Sequence, residues 1–268
     1  MKTLASLTLA ASLLSLPAFA ADKVSFKDPT GDDDGPGTYK YPTDTVYKKG
    51  SFDITDVNVE KKGDKLEFTV GVNAALEDPW NMKKGFSTQM VFIFIDTDGK
   101  EGSGHTDSPP GLNVQFAPAS AWDKLVILSP QEPARVRKEV ETKAPGLKGD
   151  ILIPERTKGA GKKISGAVDA ASIKGDPSQW GFQVVMQSNE GFPSGNDLLT
   201  RKVNEYEGQH RFGGGNDADC DPQVIDILAG DAKGDATEIK AQHDMLKYEC
   251  AADGSAKTKA TLTMVHAK

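Results

Sequence analysis

Alternation of apolar and polar side chains is the strongest signal in this chain. From Leu66 to Val72 the apolar Leu66, Phe68, Val70 and Val72 fall on one side, with Glu67, Thr69 and Gly71 on the other. That is the period of a half-buried strand. The preceding stretch Phe52–Val59 alternates with one slip in phase, and Lys62-Gly63-Asp64 lies between the two runs as a turn. Together they predict a hairpin. Val91–Ile95, VFIFI, is apolar at every position and predicts a central strand covered on both faces. Leu125–Leu128, Ile151–Ile153, Ile164–Val168, Trp180–Met186 and Thr261–His266 predict further strands. Arg135–Glu141, with Val136 and Val140 on one side and charges on the other, reads as a solvated edge strand. Helix is sparse: one or two turns in Gln223–Leu228, and Thr237–Tyr248, where Ile239, Gln242 and Leu246 share a face.

Strands at short, turn-punctuated intervals with little helix predict an all-β fold. The expected architecture is an antiparallel β-sandwich, immunoglobulin- or jelly-roll-like, with a short helical C-terminal segment. Glycine (27) and proline (15) supply the turns. Residues 1–20 have the parts of a secretory leader: Lys2, an apolar run from Leu4 to Leu16, and Ala18-Phe19-Ala20 as a small-x-small cleavage site. The expected mature protein is a single domain over residues 21–268, periplasmic or secreted. No later apolar stretch is long enough to span a bilayer.

Charge narrows the partners. The formal net charge of −7 becomes one unit more negative when Lys2 leaves with the leader. Duplex nucleic acid and anionic membrane surfaces call for the opposite balance. Divalent cations and neutral ligands suit it, although solubility alone also accounts for an acidic excess. The two cysteines, Cys220 and Cys250, are expected to pair in an oxidising compartment, with two buried thiols as the alternative. A bridge there closes a loop of about 30 residues, worth on the order of 3–4 kcal/mol in the chain-entropy model.

Catalytic motifs are missing. His105, His210, His243 and His266 are scattered without zinc-site spacing, Ser103 lacks the first glycine of a nucleophile elbow, and Gly161-Lys162 is followed by Lys163, so there is no P-loop. The protein is therefore expected not to be an enzyme. Calcium is a better fit, because hard cations take carboxylate and carbonyl oxygens presented on turns. The entry segment Asp28–Pro42 is rich in Gly and Pro and carries Asp28, Asp32, Asp33 and Asp34. Adjacent carboxylates repel unless a cation or solvent relieves them. Asp96 and Asp98 follow the VFIFI strand, and Asp217, Asp219 and Asp221 alternate in a third cluster. None is an EF-hand, and Asp-Gly and Asp-Pro are also ordinary turn residues. Aromatic side chains in loops offer flat faces for stacking, and Trp80, Trp122, Tyr39 and Tyr41 are the candidates. Trp180 fits core packing instead.

Several stretches resemble one family. Asp28-Pro-x-Gly-Asp-Asp-x-Gly-Pro-Gly-x-Tyr-x-Tyr-Pro42, Gly50-Ser-Phe-Asp-Ile54, Asp78-Pro-Trp-Asn81, Phe212-Gly-Gly-Gly215 and Pro222-Gln-Val-Ile-Asp226 are similar to the SLH-like C-terminal binding module of bacterial glucodextranases. The likeness also takes in Gly85-Phe-Ser-x-Gln89, Ile95-Asp-Thr-Asp98, Gly102-Ser-Gly104 and Pro110-Gly-Leu-Asn113, and is weaker between Glu139 and Gly175. That family is related to family-9 carbohydrate-binding and DOMON-type β-sandwiches. The resemblance implies carbohydrate or envelope-glycan binding with a structural calcium. The parent enzyme carries the module attached to a catalytic domain, none is expected within residues 21–268, and Cys220 and Cys250 stand outside the shared pattern.

Three further functions compete. DOMON-like relatives imply a non-covalent haem redox carrier, for which Met82, Met90 and Met186 are the axial candidates. A structural envelope subunit with a protein partner is the second, and a hydrolase the third.

Overall fold

The structure, a computed structural model, describes residues 23–193, 195–216 and 220–267. The expected leader (residues 1–20) lies outside the described residues, as do Asp217 and Asp219 of the third acidic cluster.

In chain order the strands are β1 (Lys23–Lys27), β2 (Ile54–Lys62), β3 (Lys65–Val72), β4 (Gln89–Asp96), β5 (Val114–Phe116), β6 (Lys124–Leu128), β7 (Ile151–Leu152) and β8 (Thr157–Ala160). They continue as β9 (Lys163–Asp169), β10 (Gly181–Ser188), β11 (Asp226–Ile227), β12 (Glu249–Cys250), β13 (Ala256–Thr258), β14 (Ala260–Leu262) and β15 (Val265–His266). The helices are α1 (Pro133–Lys143) and α2 (Thr237–Met245).

Two sheets carry the fold. One runs β1-β2-β3-β9-β8, and its β2–β3 hairpin turns at Gly63 (φ 63°). The phase slip within Phe52–Val59 is a β-bulge: the register of β2 against β3 shifts between Ile54 and Asp56. The other sheet runs β11-β10-β4-β6-β7, with β15 also pairing β10 and β7 lying parallel to β6. Every residue of β4 and of β10 is buried.

Complete burial follows from a third layer. Val91, Ile93 and Ile95 of β4 and Phe182, Val184 and Met186 of β10 pack in one core with Val57, Val59, Phe68 and Val70 of the first sheet. On the opposite face, Met90, Phe92, Phe94 and Val185 pack in a second core. That core is closed by α1, by the parallel β5–β14 pair and by Trp122, Leu198, Leu199 and Leu246. The architecture is all-β with two helices, as the alternation predicts, but the second sheet is the middle of three layers.

Arg135–Glu141 corrects the edge-strand expectation. It is the body of α1, with Pro133 in the first turn and Val136 and Val140 buried. A spacing of four residues puts two side chains on one side in either period, so Val136 and Val140 could not separate strand from helix. Gln223–Leu228 is corrected the other way: it is buried throughout and contains β11 rather than helical turns. The C-terminal helix stands at Thr237–Met245, with Leu246 at its end.

Cys220 and Cys250 are bonded, with Cα atoms 5.4 Å apart. The bridge spans 30 residues that include α2. Reduction, or Cys220→Ser with Cys250→Ser, is expected to lower stability by on the order of 3–4 kcal/mol in denaturant titration. Unchanged midpoints with and without reductant would show that the loop is held by packing alone.

Candidate functional site

The Gly/Pro-rich entry loop, residues 28–42, folds inward because its partners are backbone groups from distant parts of the chain. Asp28 N donates to Thr55 O at 3.1 Å and Gly35 N to Ile225 O at 2.8 Å. Lys40 and Gly213 exchange both backbone bonds at 2.9 Å, so the loop zips onto the Phe212–Gly215 segment. Glycine is required where these backbones meet. A Cβ on Gly214 (φ 83°) would stand 2.1 Å from Thr38 O, and one on Gly35 (φ 60°) 2.3 Å from the Tyr39 ring.

This folding brings carboxylates together. One oxygen each from Asp28, Asp32 and Asp226 lie within 4.8 Å of one another, and all three residues are buried. Asp53, also buried, stands beside them. Both Asp28 oxygens, Asp32 Oδ1 and Asp53 Oδ1 have no hydrogen-bond partner. Asp226 is oriented by two backbone donors, Ile54 N to Oδ2 at 2.6 Å and Ile227 N to Oδ1 at 2.8 Å. Asp53 Oδ2 accepts from Gly31 N at 2.8 Å and Asn73 Nδ2 at 3.1 Å. Helix α2 supports the loop from behind: Gln242 donates to the Asp32 carbonyl and accepts from Ile227 N at 3.0 Å.

Burial and mutual repulsion shift the protonation of these groups. Asp28 and Asp226 are pushed well above the ordinary carboxylate range, first by burial and then by neighbouring aspartates. Asp32 rises to about 7 through burial and the charge of Asp53. Asp53 rises to about 6, mainly through burial.

The expected ligand set is partly corrected. Asp28 and Asp32 belong to the cluster, whereas Asp33 and Asp34 point elsewhere. Asp33 accepts the Tyr41 hydroxyl, and Asp34 meets His243 Nε2 of α2 at 3.0 Å. Asp53 and Asp226 went unforeseen, although each left a trace. Asp226 interrupts Val224-Ile225-Asp226-Ile227-Leu228 and Asp53 sits between Phe52 and Ile54. A carboxylate inside an apolar run is costly unless it has a task. Asp96 and Asp98 also assemble, with Asp123, and one oxygen of each accepts hydrogen bonds as in an Asp-rich turn. Asp96 Oδ1 accepts from Asp98 N and Gly99 N, Asp98 Oδ1 from Lys100 N and Ser103 Oγ, and Asp123 Oδ2 from Thr97.

The aromatic candidates divide. Trp122 is corrected: it is 0% exposed, sits in the second core, and its indole N–H donates to Asp107 O at 3.0 Å. Tyr39 is buried too, its hydroxyl bonded to Pro222 O at 2.5 Å. Tyr41 is half-buried; its ring meets Phe52 and Phe212, and its hydroxyl accepts from Gly50 N and Phe52 N besides donating to Asp33. Tyr39 and Tyr41 brace the entry loop, Trp122 fills the second core, and none of the three presents a stacking platform. Trp80 alone is half-exposed without being locked through its polar atom. It stands at the rim of the first core, so it and Trp122 share no groove. Met90 and Met186 are likewise buried in different cores on opposite faces of one sheet, which removes them as a pair of axial ligands.

Around Trp80 the structure assembles groups the sequence did not link. The Arg201 guanidinium lies 5.9 Å from the Trp80 ring centroid and is held by Glu190 at 2.8 Å. Tyr47 and His210 meet the indole edge-on, 6.2 and 6.4 Å between centroids. The segments on either side of Arg201 carry the two exposed large apolar side chains of the described residues, Phe192 (93%) and Tyr206 (71%).

A family model described as the C-terminal binding-module, SLH-like, of glucodextranase matches residues 24–265. No curated protein matches the chain significantly.

Proposed function

The chain belongs to the family of SLH-like C-terminal binding modules of glucodextranase, and from that premise we propose that it is an exported protein that binds carbohydrate or envelope glycan. The family is a binding module and not a catalytic domain. Among the described residues no helix is long and apolar enough to cross a membrane. The observation that carries the reading is the family match over most of the chain.

The surface that supports glycan contact best is the rim around Trp80. An indole with a guanidinium over it and an imidazole at its edge offers an apolar face beside hydrogen-bond donors, the combination a sugar ring uses. Phe192 and Tyr206 are exposed on the segments that carry Glu190 and His210. The test is a glycan array that includes α-glucans and cell-wall glycans, read with the wild type and Trp80→Ala. Wild-type binding that falls roughly tenfold or more in Trp80→Ala is expected, since stacking contributes on the order of 1–3 kcal/mol. Wild-type affinity in the variant places the ligand elsewhere, and no signal on any glycan rejects the reading.

A further inference from the structure

We propose that Asp28, Asp32 and Asp226, with Asp53 beside them, form a divalent cation site of the calcium class that fastens the entry loop to both halves of the fold. More than an acidic cluster supports this. Asp28 is 5% exposed and neither of its oxygens has a partner, while one of them lies within 4.8 Å of carboxylate oxygens of Asp32 and Asp226. Asp32 Oδ1 and Asp53 Oδ1 are orphaned in the same way. Buried polar atoms are nearly always satisfied, and an uncompensated buried charge costs far more than a neutral group. None of the four aspartates makes an ion pair among the described residues. A cation supplies at once the missing partner for the orphaned oxygens and the missing countercharge.

The donor set selects the ion. All donors are carboxylate oxygens, without histidine or thiolate, which favours a hard cation over zinc or copper. Several carboxylates from separate, turn-rich segments suit the larger and geometrically tolerant calcium better than magnesium, which keeps its waters and demands an octahedron. The site also joins distant chain positions. Asp28 and Asp32 come from the entry loop, Asp53 from the start of the hairpin, and Asp226 from β11 in the middle sheet. A bound ion therefore acts as a cross-link between segments about 200 residues apart in sequence. The Asp96–Asp98–Asp123 cluster provides a contrast: one oxygen of each residue accepts a backbone or hydroxyl hydrogen bond, and among the described residues none of its oxygens is buried without a partner.

The experiment uses the full chain, stripped with EDTA and desalted, then titrated with calcium chloride by calorimetry and thermal melting. Saturating calcium is expected to raise the melting temperature by roughly 5–10 °C. Asp28→Asn is the informative variant, since it removes a charge without removing any hydrogen bond. It is expected to weaken calcium binding by roughly tenfold or more and to melt, without calcium, at or above the wild-type temperature. If Asp28→Asn does not fold, Asp32→Asn carries the same expectation for calcium affinity. Asp98→Asn is expected to keep the full calcium response. A wild type that gives neither heat nor thermal shift with millimolar calcium overturns the proposal. So does an Asp28→Asn protein with wild-type affinity, or an Asp98→Asn protein that has lost the response.

Discussion

Stripping divalent cations is expected to lower the melting temperature by roughly 5–10 °C at pH 7.5 and by much less at pH 5. The pH term follows from the direction of the shifts. Asp32 titrates at about 7 and Asp53 at about 6 in the folded chain, against 3.8 for an unperturbed aspartate. The cation-free folded state thus holds more protons than the unfolded chain between about pH 4 and 7. Its stability falls as pH rises through that window, and the raised Asp28 and Asp226 add to the fall in the same direction. The ion requires the ionised carboxylates, so its apparent affinity climbs over the same window. Carboxylates with lowered values, such as Asp78 and Asp150, contribute stability that is fully present above about pH 4 and is lost only below it, so they leave the window undisturbed. Melting curves at pH 5, 6, 7 and 8, with EDTA and with calcium, are the check. Cation-free protein that becomes more stable from pH 5 to 8 contradicts the assignment.

The second large effect belongs to the middle sheet. Phe94→Ala on β4 is expected to cost about 3–5 kcal/mol, the range for a fully buried aromatic. Phe94 packs against Phe116 at 4.7 Å and Trp122 at 5.5 Å, so its loss opens a cavity where the third layer meets the sheet. Phe192→Ala removes the same side chain from a 93% exposed position and is expected to stay within about 0.5 kcal/mol. Urea titration of the two variants compares them directly. Equal midpoints would remove the distinction between a core and a solvent-facing phenylalanine.

Short-range pattern in the sequence reports the sheets well. The period of two at Leu66–Val72, the slip before Val57 and the all-apolar VFIFI run each correspond to a feature of the structure: a hairpin strand, a bulge and a doubly covered strand. Local pattern failed where two periods coincide, as at Val136 and Val140. It also failed where burial depends on a layer assembled from far away. Trp122 stands in a polar-looking turn, and only the closure of β5, β14 and α1 over the middle sheet buries it.

The candidate sites follow the same division. Asp28 and Asp32 announce themselves in a turn-rich acidic loop. Asp53 and Asp226 reach the cluster only because β2 and β11 are brought alongside it, through the bond from Ile54 N to Asp226 and the bond from Gly31 N to Asp53. The rim around Trp80 joins residues 47, 80, 201 and 210, which no sequence window contains.

Affinity electrophoresis through gels containing soluble α-glucan or solubilised cell-wall glycan, followed by an assay of the gel for released reducing sugar, tests the claim of binding without catalysis most directly. The prediction is retardation in at least one glycan, reversed by Trp80→Ala, with no reducing sugar released. Free migration in every gel, or sugar release along the path of the protein, would contradict it.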